Sequence, residues 1–295
     1  MADYKLIGKD FSTPDLVAKV TGRAKYAEDF RAEGMLFTKL FLSPMPHARV
    51  RSIDASEALA MPGVEAILTA DDLPEAEAPN EVGLTNEPMY EGEPILAVAA
   101  TDELTAAEAI ERIHVDLEPL PFCLDPLDSL RPGGPNARLD GNSVVDGAVT
   151  TLKWQESDFL DAAEGQLPIG EPTDQWEFGD VETGFSDADF VIEETVFHQS
   201  LSHQPLETRT TMAHWQNGKV YVYPSVQSTA RAVGPVARWA GVSQKDVVIV
   251  NEYTGGGFGS KISGYPQLVL PILLSKQTGK PVMMRVTRRE ENFFG

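Results

Sequence analysis

Residues 94–117 contain a short apolar run, then a helix pattern and then a second strand pattern, and this order limits the possible folds. Residues 94–100 read PILAVAA, an unbroken apolar segment with the length of a buried strand. Thr101 or Asp102 can cap a helix after it. The apolar positions of that helix are expected to be Leu104, Ala107 and Ile110. Alternating apolar residues over 113–117 predict the next strand, and the order strand, helix, strand predicts a parallel βαβ unit.

Further strands and helices are predicted along the whole chain. The other strand-like segments are 35–42, 50–53, 64–69, 190–197, 220–223, 247–253 and 282–286. Helices are predicted over 57–60 behind Ser56, over 225–241 and over 267–278. The apolar face of the second of these helices is expected to contain Val226, Ala230, Val233 and Ala237. Pro235 and Pro271 are expected to kink or interrupt their helices, and Asn217-Gly218 predicts a hairpin turn.

Composition changes along the chain and indicates how it is divided. Residues 126–177 are rich in Pro, Gly, Asp and Asn, which is typical of a linker or a surface excursion. Residues 71–93 are acidic, contain proline and show neither periodicity, so we predict a loop. We therefore predict a first domain over 1–127, an acidic linker or surface excursion over 128–178 and a second domain over 179–295.

Charge and cysteine content exclude several classes of function. With 24 basic and 45 acidic residues, the net charge is −21, so neither nucleic acid nor an anionic membrane surface is an expected partner. The single cysteine, Cys123, excludes an internal disulfide, a cysteine-ligated iron–sulfur cluster and a multi-cysteine zinc site on this chain alone. No apolar stretch reaches 18 residues, and the N-terminus lacks a signal-peptide pattern, so a cytoplasmic protein is expected.

The strongest local signal for chemistry is the segment 253–261, YTGGGFGSK. Four glycines around Phe258 would let the main chain approach a ligand closely and offer its N–H groups. The spacing fits neither the P-loop, because Ser260 precedes Lys261, nor the dinucleotide fingerprint. A tight turn from strand to helix is the alternative interpretation.

Two weaker signals lie upstream. Gln227 follows a predicted strand and could donate its amide to a ligand, although a lone glutamine is more commonly a surface residue. His198 and His203 could contribute to a metal site, but their spacing is not that of a zinc-binding helix. A buried polar pair between Glu207 and Arg209 is the favoured interpretation of this stretch. No G-x-S-x-G nucleophile motif is present.

Taken in order, these segments resemble the molybdenum-binding large subunit of the molybdenum hydroxylases, the xanthine dehydrogenase and aldehyde oxidase family. The matching segments of the first half are KVTGRAKYAED (19–29), SPMPHARV (43–50), PGV (62–64), YEGEP (90–94) and 107–120. Those of the second half are GDVE (179–182), Ala188-Asp189, His203–Glu207, Gln227, GGGFG (255–259) and Lys261. The resemblance implies an α+β fold, in which an α/β hammerhead domain precedes the first part of a mixed α/β molybdenum-cofactor domain.

The resemblance also implies a cofactor and partners. The metal would be held by the dithiolene of a molybdopterin, with the cytosine dinucleotide form expected, and not by protein ligands. The cofactor-binding residues would be Gln227, Gly256, Gly257, Phe258 and Gly259, with Gln227 and Phe258 nearest the metal. The family hydroxylates an electron-poor carbon with water as the oxygen source. The expected partners are a [2Fe–2S] subunit, an FAD subunit and the remaining large-subunit domains or a second half-subunit.

Two departures from the family pattern limit this interpretation. The sequence ends at Gly295, and the resemblance places the family's general-base glutamate beyond it. We therefore assign no catalytic residue here. The chain is expected to be a fragment or one half of a split subunit. Ile262 stands where purine-hydroxylating members carry a carboxylate, which favours an aldehyde or an aromatic N-heterocycle as substrate. Carbon monoxide oxidation and reduction of an aromatic thioester stay open, as does a non-catalytic binding or assembly module that retains the hammerhead scaffold.

Overall fold

The computed structural model describes residues 5–74, 83–145, 148–160, 167–168, 174–192, 194, 196, 198 and 201–294. Contacts group the chain into two compact units. The first contains residues 1–120 and 202–295, and the second contains residues 121–201. The predicted domain division at 127 and 179 stays a prediction.

The helices and strands are numbered along the chain. They are α1 (Leu16–Val20), β1 (Leu36–Leu42), β2 (Ala48–Asp54), α2 (Ser56–Leu59), β3 (Val64–Thr69), β4 (Pro94–Ala100), α3 (Glu103–Glu111), β5 (His114–Pro119), α4 (Pro126–Leu130), β6 (Ser143–Val145), β7 (Ala148–Thr150), α5 (Val181–Ser186), β8 (Thr210–Gln216), β9 (Lys219–Pro224), α6 (Thr229–Ala240), β10 (Val247–Ile249), α7 (Val269–Thr278), β11 (Val282–Arg285) and α8 (Arg288–Phe294).

The first unit is built around a seven-stranded mixed sheet. Its strand order is β10-β9-β8-β11-β1-β4-β3. Its strands come from both ends of the chain. They meet where β1 pairs in parallel with β11, Leu36 opposite Val282. The fold is therefore α+β, as predicted.

β4 is buried along its whole length because its two faces pack against different cores. Ala97 and Ala99 belong to the main core, with residues of β8, β9, α6 and α7. Leu96 and Val98 belong to a smaller core, with residues of α2, α3 and the segment before β5. Burial on both faces explains the unbroken apolar run, since no position of the strand faces water.

The segment after β4 corrects two expectations. Asp102 caps α3 as predicted, with its carboxylate accepting from Thr105 N, but the helix buries Ala106 and Ala109 while Leu104 is 68% exposed. β5 pairs antiparallel with β2 in a separate two-stranded sheet, so no parallel βαβ unit forms. Small alanines let α3 lie close to the sheet, and this contact decides the buried face more strongly than the size of Leu104.

The hairpin prediction is confirmed, because β8 and β9 pair antiparallel around Asn217-Gly218. Both turn residues have positive φ, 52° and 74°, as a tight hairpin turn requires.

The helices α2 and α7 differ in detail from their predictions. α2 begins at Ser56, which the Asp54 carboxylate binds, so Ser56 is not the cap. α7 is not interrupted by Pro271, which is its third residue, where the missing N–H has no acceptor within the helix.

α6 starts later than predicted, and its buried face differs. The segment 225–228 is not helical because its main chain is used elsewhere: Ser225 N donates to Thr210 O and Gln227 N to Lys261 O, both at 2.8 Å. The helix then runs as one element across Pro235. Ala237 is buried as expected, but Ala230 is exposed, and the other buried positions are Ala232, Val236, Trp239 and Ala240.

The described residues of the second unit include two short helices and a hairpin. α4 lies next to the hairpin β6–β7, and the Asn142 amide bonds to Ser129 and Leu152. Farther along the chain, α5 is capped by Asp180. The strand predicted over 190–197 partly falls on residues outside those described, and its described residues form no strand. None of the helices among the described residues combines the length and the hydrophobicity that a membrane span requires.

Candidate functional site

The glycine loop, defined here as residues 254–261, follows β10 in the first unit, and side chains hold its beginning. Asn251 Nδ2 and Thr254 Oγ1 both donate to Val226 O, at 2.5 and 2.7 Å. Gly255 N donates to Glu207 Oε2 at 2.6 Å, while Glu207 N donates back to Gly255 O at 3.1 Å. These contacts end β10 at Ile249, earlier than predicted, and turn the chain towards the segment 225–228.

Gln227 holds the end of the same loop. Its Oε1 accepts from Gly259 N at 3.1 Å and from Lys261 N at 3.2 Å. Since the carbonyl oxygen is engaged by two main-chain donors, the Nε2 group is the free end of the amide. Nε2 donates no hydrogen bond within the described part of the chain, and the residue is exposed.

The middle of the loop offers main-chain donors. Among the described residues, the N–H groups of Gly256, Gly257 and Phe258 donate to no protein acceptor, although their neighbours on both sides do. A row of free N–H groups in a glycine loop is suited to an anionic ligand. The loop therefore presents three N–H donors beside one free amide.

Gly257 has no space for a side chain. A Cβ atom at this position would lie 2.4 Å from Gln227 Oε1 and 2.5 Å from Gln227 Cδ. The absence of a side chain at Gly257 is what allows Gln227 to reach the loop.

Phe258 adopts a left-handed conformation, φ 53°, and the residue is 72% exposed. That conformation costs a residue with a Cβ about 1–2 kcal/mol. Left-handed conformations of residues other than glycine are enriched at functional sites. Ile262, the predicted substrate-pocket residue, follows the loop and is 38% exposed.

Behind the loop lies a buried hydrogen-bond chain that the sequence did not indicate. Lys261 is fully buried, and its ammonium donates to Glu207 O at 2.5 Å and to Ser225 Oγ at 2.7 Å. Ser225 Oγ in turn donates to Glu207 Oε2 at 2.8 Å. Ser225 is fully buried, so this arrangement is not an accessible serine nucleophile. The nearest pattern in the sequence is a lysine that follows a glycine-rich run. That pattern is similar to a phosphate-binding loop but does not match its spacing, and it gives no sign of a buried lysine.

The predicted Glu207–Arg209 pair is wrong. Arg209 instead forms a buried ion pair with Glu291 of α8, whose second oxygen accepts from Arg209 N at 2.8 Å. In a strand, residues two apart share one face, but Glu207 lies before β8 and its carboxylate is bound by Gly255, Ser225 and Ala27.

The histidine hypothesis gains no support from the geometry. The described residues form no group of three potential metal ligands. His203 lies beside the loop, with Nε2 3.6 Å from where a Cβ on Gly259 would stand. Cys123 is half-buried and donates to Asp125 O.

Lys261 provides a first test. Burial is the main reason that the pKa of Lys261 falls from 10.5 to about 8. The carboxylates of Glu207 and Glu291 oppose this fall, and the guanidinium groups of Arg209 and Arg288 contribute to it. Between these two pKa values the unfolded chain binds the extra proton, so the contribution of Lys261 to stability rises with pH.

We therefore expect the stability difference between wild type and Lys261→Met to change in favour of wild type by about 2 kcal/mol between about pH 8 and pH 9.5. Urea unfolding of both proteins at several pH values measures it. Below about pH 7, where both the folded and the unfolded chain hold the proton, the difference is expected to be constant. A difference that falls as pH rises would contradict the assigned shift.

Two family models match the chain in sequence order. The aldehyde oxidase and xanthine dehydrogenase a/b hammerhead domain matches residues 21–121, and the molybdopterin cofactor-binding domain matches residues 166–294. Together they account for most of the chain, and the glycine loop and Gln227 lie within the second. The chain belongs to the family of molybdopterin-binding large subunits of the xanthine dehydrogenase and aldehyde oxidase type.

Relatives with known roles support this membership. The chain is 30% identical to the carbon monoxide dehydrogenase large chain of Afipia carboxidovorans, over 91% of this chain and 33% of that protein. It is 31% identical to the nicotinate dehydrogenase large molybdopterin subunit of Eubacterium barkeri, over 98% of this chain and 63% of that protein. The solved structure of reconstituted CO dehydrogenase from Oligotropha carboxidovorans matches with a TM-score of 0.75 and 26% identity, covering 96% of this chain and 35% of that one. The chain thus spans about a third of the carbon monoxide dehydrogenase large chains it matches.

Proposed function

We propose that this chain forms one wall of the molybdenum-cofactor pocket of a molybdenum-dependent hydroxylase. The observation that carries the proposal is the convergence of Gln227 on the glycine loop, with three free N–H groups beside a free amide Nε2. A pyranopterin bearing phosphate and a metal with anionic ligands needs donors of this kind and little side-chain bulk. When bound, the cofactor would supply Lewis acidity and accept the electrons of the oxidation.

The roles of the residues follow from their contacts. Gly256, Gly257 and Phe258 would donate main-chain N–H groups to the cofactor, and Gly259 would fix the loop through Gln227. The Nε2 group of Gln227 would donate to the cofactor, while its Oε1 keeps the amide oriented. Phe258 would shield the cofactor from water with its exposed ring. No group on this chain is assigned to move a proton from the substrate, and the general base would come from elsewhere in the large subunit.

The finer features of the activity belong to the same proposal. The cofactor would be molybdopterin, in the cytosine dinucleotide form, and the substrate an aldehyde or an aromatic N-heterocycle, because Ile262 offers an apolar contact in place of a carboxylate. Electrons would leave to a [2Fe–2S] subunit and an FAD subunit, since the single cysteine cannot hold a cluster. The remainder of the large subunit, or a second half-subunit, would complete the pocket. The assembly would be cytoplasmic.

Metal and pterin analysis of the assembly purified from its source tests the proposal. We expect about one molybdenum and one pterin per chain, as one pocket per large subunit requires. An assembly that contains this chain without molybdenum or pterin would support the alternative, a non-catalytic binding or assembly module. If the assembly contains molybdenum and pterin but does not hydroxylate aldehydes or N-heterocycles, only the proposed substrate class would be wrong.

A further inference from the structure

The glycine loop is joined at its base by a closed ring of contacts. The near end is attached to the Glu207 carboxylate through Gly255 N, at 2.6 Å. The far end carries Lys261, whose buried ammonium returns to Glu207 O at 2.5 Å and to Ser225 Oγ at 2.7 Å. Ser225 Oγ completes the ring by donating to the same carboxylate, at 2.8 Å. Both ends of the loop therefore contact one residue, Glu207.

We propose that Glu207 and Lys261 act together as a tie across the base of the glycine loop and position its free N–H groups for the cofactor. They are positioning residues, because they bind the loop from behind and their side chains are not part of its exposed edge. The inference rests on the proposed function for the identity of the ligand, but the tie itself is a property of this chain.

Several features of the tie exceed what an ordinary turn needs. A lysine that is 0% exposed loses the hydration of its charge. The hydrogen bonds to a carbonyl and a hydroxyl, together with the electrostatic attraction of nearby carboxylates, partly compensate for this loss. A glycine turn needs no buried ammonium. The Glu207 carboxylate also accepts from Ala27 N at 3.2 Å, so the tie links the loop to the N-terminal part of the same unit.

The free N–H groups need this support. The three donors of Gly256, Gly257 and Phe258 bind no protein acceptor within the described part of the chain, so they contribute nothing to holding the loop in place. Glycines raise the flexibility of the main chain, and a loosely held loop would have to be ordered when the ligand binds. The tie and Gln227 order it beforehand.

The tie predicts that the two ends of the loop are coupled, which a set of independent hydrogen bonds would not be. The Gly259 and Lys261 N–H groups are held by Gln227 and do not touch the Glu207 side chain. Removing that side chain should nevertheless expose them, and removing the Lys261 ammonium should expose Gly255 N.

Site-resolved hydrogen exchange on the purified chain measures this coupling. For Glu207→Ala we expect exchange at Gly259 and Lys261 to rise by about tenfold or more, and for Lys261→Met we expect a similar rise at Gly255, because a buried partner is left unsatisfied in each case. Glu207→Gln keeps one oxygen for Gly255 and should stay within about threefold of wild type. Trp215→Phe is the matched control: it removes the bond from Trp215 Nε1 to Ile272 O, at 3.0 Å, and should leave the loop unchanged.

The following results would contradict the proposed tie or its positioning role. Faster exchange confined to the amide whose own acceptor was deleted, or equal exchange in Glu207→Ala and Trp215→Phe, would overturn the tie. In the source assembly, Glu207→Ala should also lose molybdenum and pterin on dialysis, while Glu207→Gln retains them; retention by both would overturn the positioning role. If the wild-type assembly contains no cofactor, the proposed function fails, and the exchange experiment still judges the tie by itself.

Discussion

Replacing Gly257 with alanine is expected to reduce the molybdenum and pterin content of the assembled protein to less than about a tenth of wild type, because even a single added methyl is overpacked in this site. The methyl carbon would stand 2.4 Å from Gln227 Oε1, so the glutamine must leave the loop or the loop must move. Either movement separates the free N–H groups from the free amide. Metal analysis of the purified assembly measures the effect.

Gly234→Ala is the matched control for this variant. A Cβ atom at Gly234, inside α6, would meet only Gln244 Nε2, at 3.9 Å. Gly234 precedes Pro235, which offsets the usual helix-forming gain of alanine, so we expect this change to alter stability by less than about 1 kcal/mol and to leave cofactor content unchanged. If Gly257→Ala retained full molybdenum, the proposed contact between this loop and the cofactor would be wrong.

Replacing Gln227 with alanine is expected to lower turnover of the assembled enzyme by about 10²–10³, the usual effect of removing one positioned donor from a reaction centre. Stability should fall much less, by about 1 kcal/mol, because the Gly259 and Lys261 N–H groups lose an acceptor that lies near solvent. Protein yield should accordingly change less than activity. Steady-state kinetics and thermal unfolding of the same preparations measure both quantities.

Gln227→Glu separates the two functions of this side chain. A carboxylate can still accept from Gly259 N and Lys261 N, but it has no hydrogen to donate to a ligand. We expect this variant to fold with near wild-type stability and to be as inactive as Gln227→Ala. Wild-type turnover in Gln227→Glu would assign the glutamine to loop structure alone.

Strands were easier to predict from this sequence than the faces on which helices pack. Residues 94–100 and the Asn217-Gly218 hairpin carry their own local signals, an unbroken apolar run and two residues that accept positive φ. The buried face of α3 carries no such local signal. The helix buries the small Ala106 instead of Leu104 because it packs closely against the neighbouring sheet. The start of α6 was likewise decided by the glycine loop, whose Lys261 O takes the N–H of Gln227.

The candidate site shows the same limit. The glycine loop and Gln227 were visible in the sequence, but their roles at a cofactor were predicted only by resemblance to a family, since their spacing fits no general phosphate motif. Glu207 was predicted to form a polar pair with Arg209 because the two residues are near in sequence. In the structure its carboxylate binds Gly255 and Ser225 instead. Contacts between residues this far apart have no local signature, so the tie behind the loop could be found only in three dimensions.

The pairing of β1 with β11 has a consequence for how this chain can be made and divided. Leu36 finds its parallel neighbour, Val282, only after residues 37–281 between them have been synthesised, so the central sheet closes late and slowly. Cutting the chain between its two family segments would leave β1 and β11 as bare edges, each ready to pair with the wrong molecule. Expression of either half by itself is therefore expected to give aggregates, and supplying both halves together is the practical way to dissect this protein.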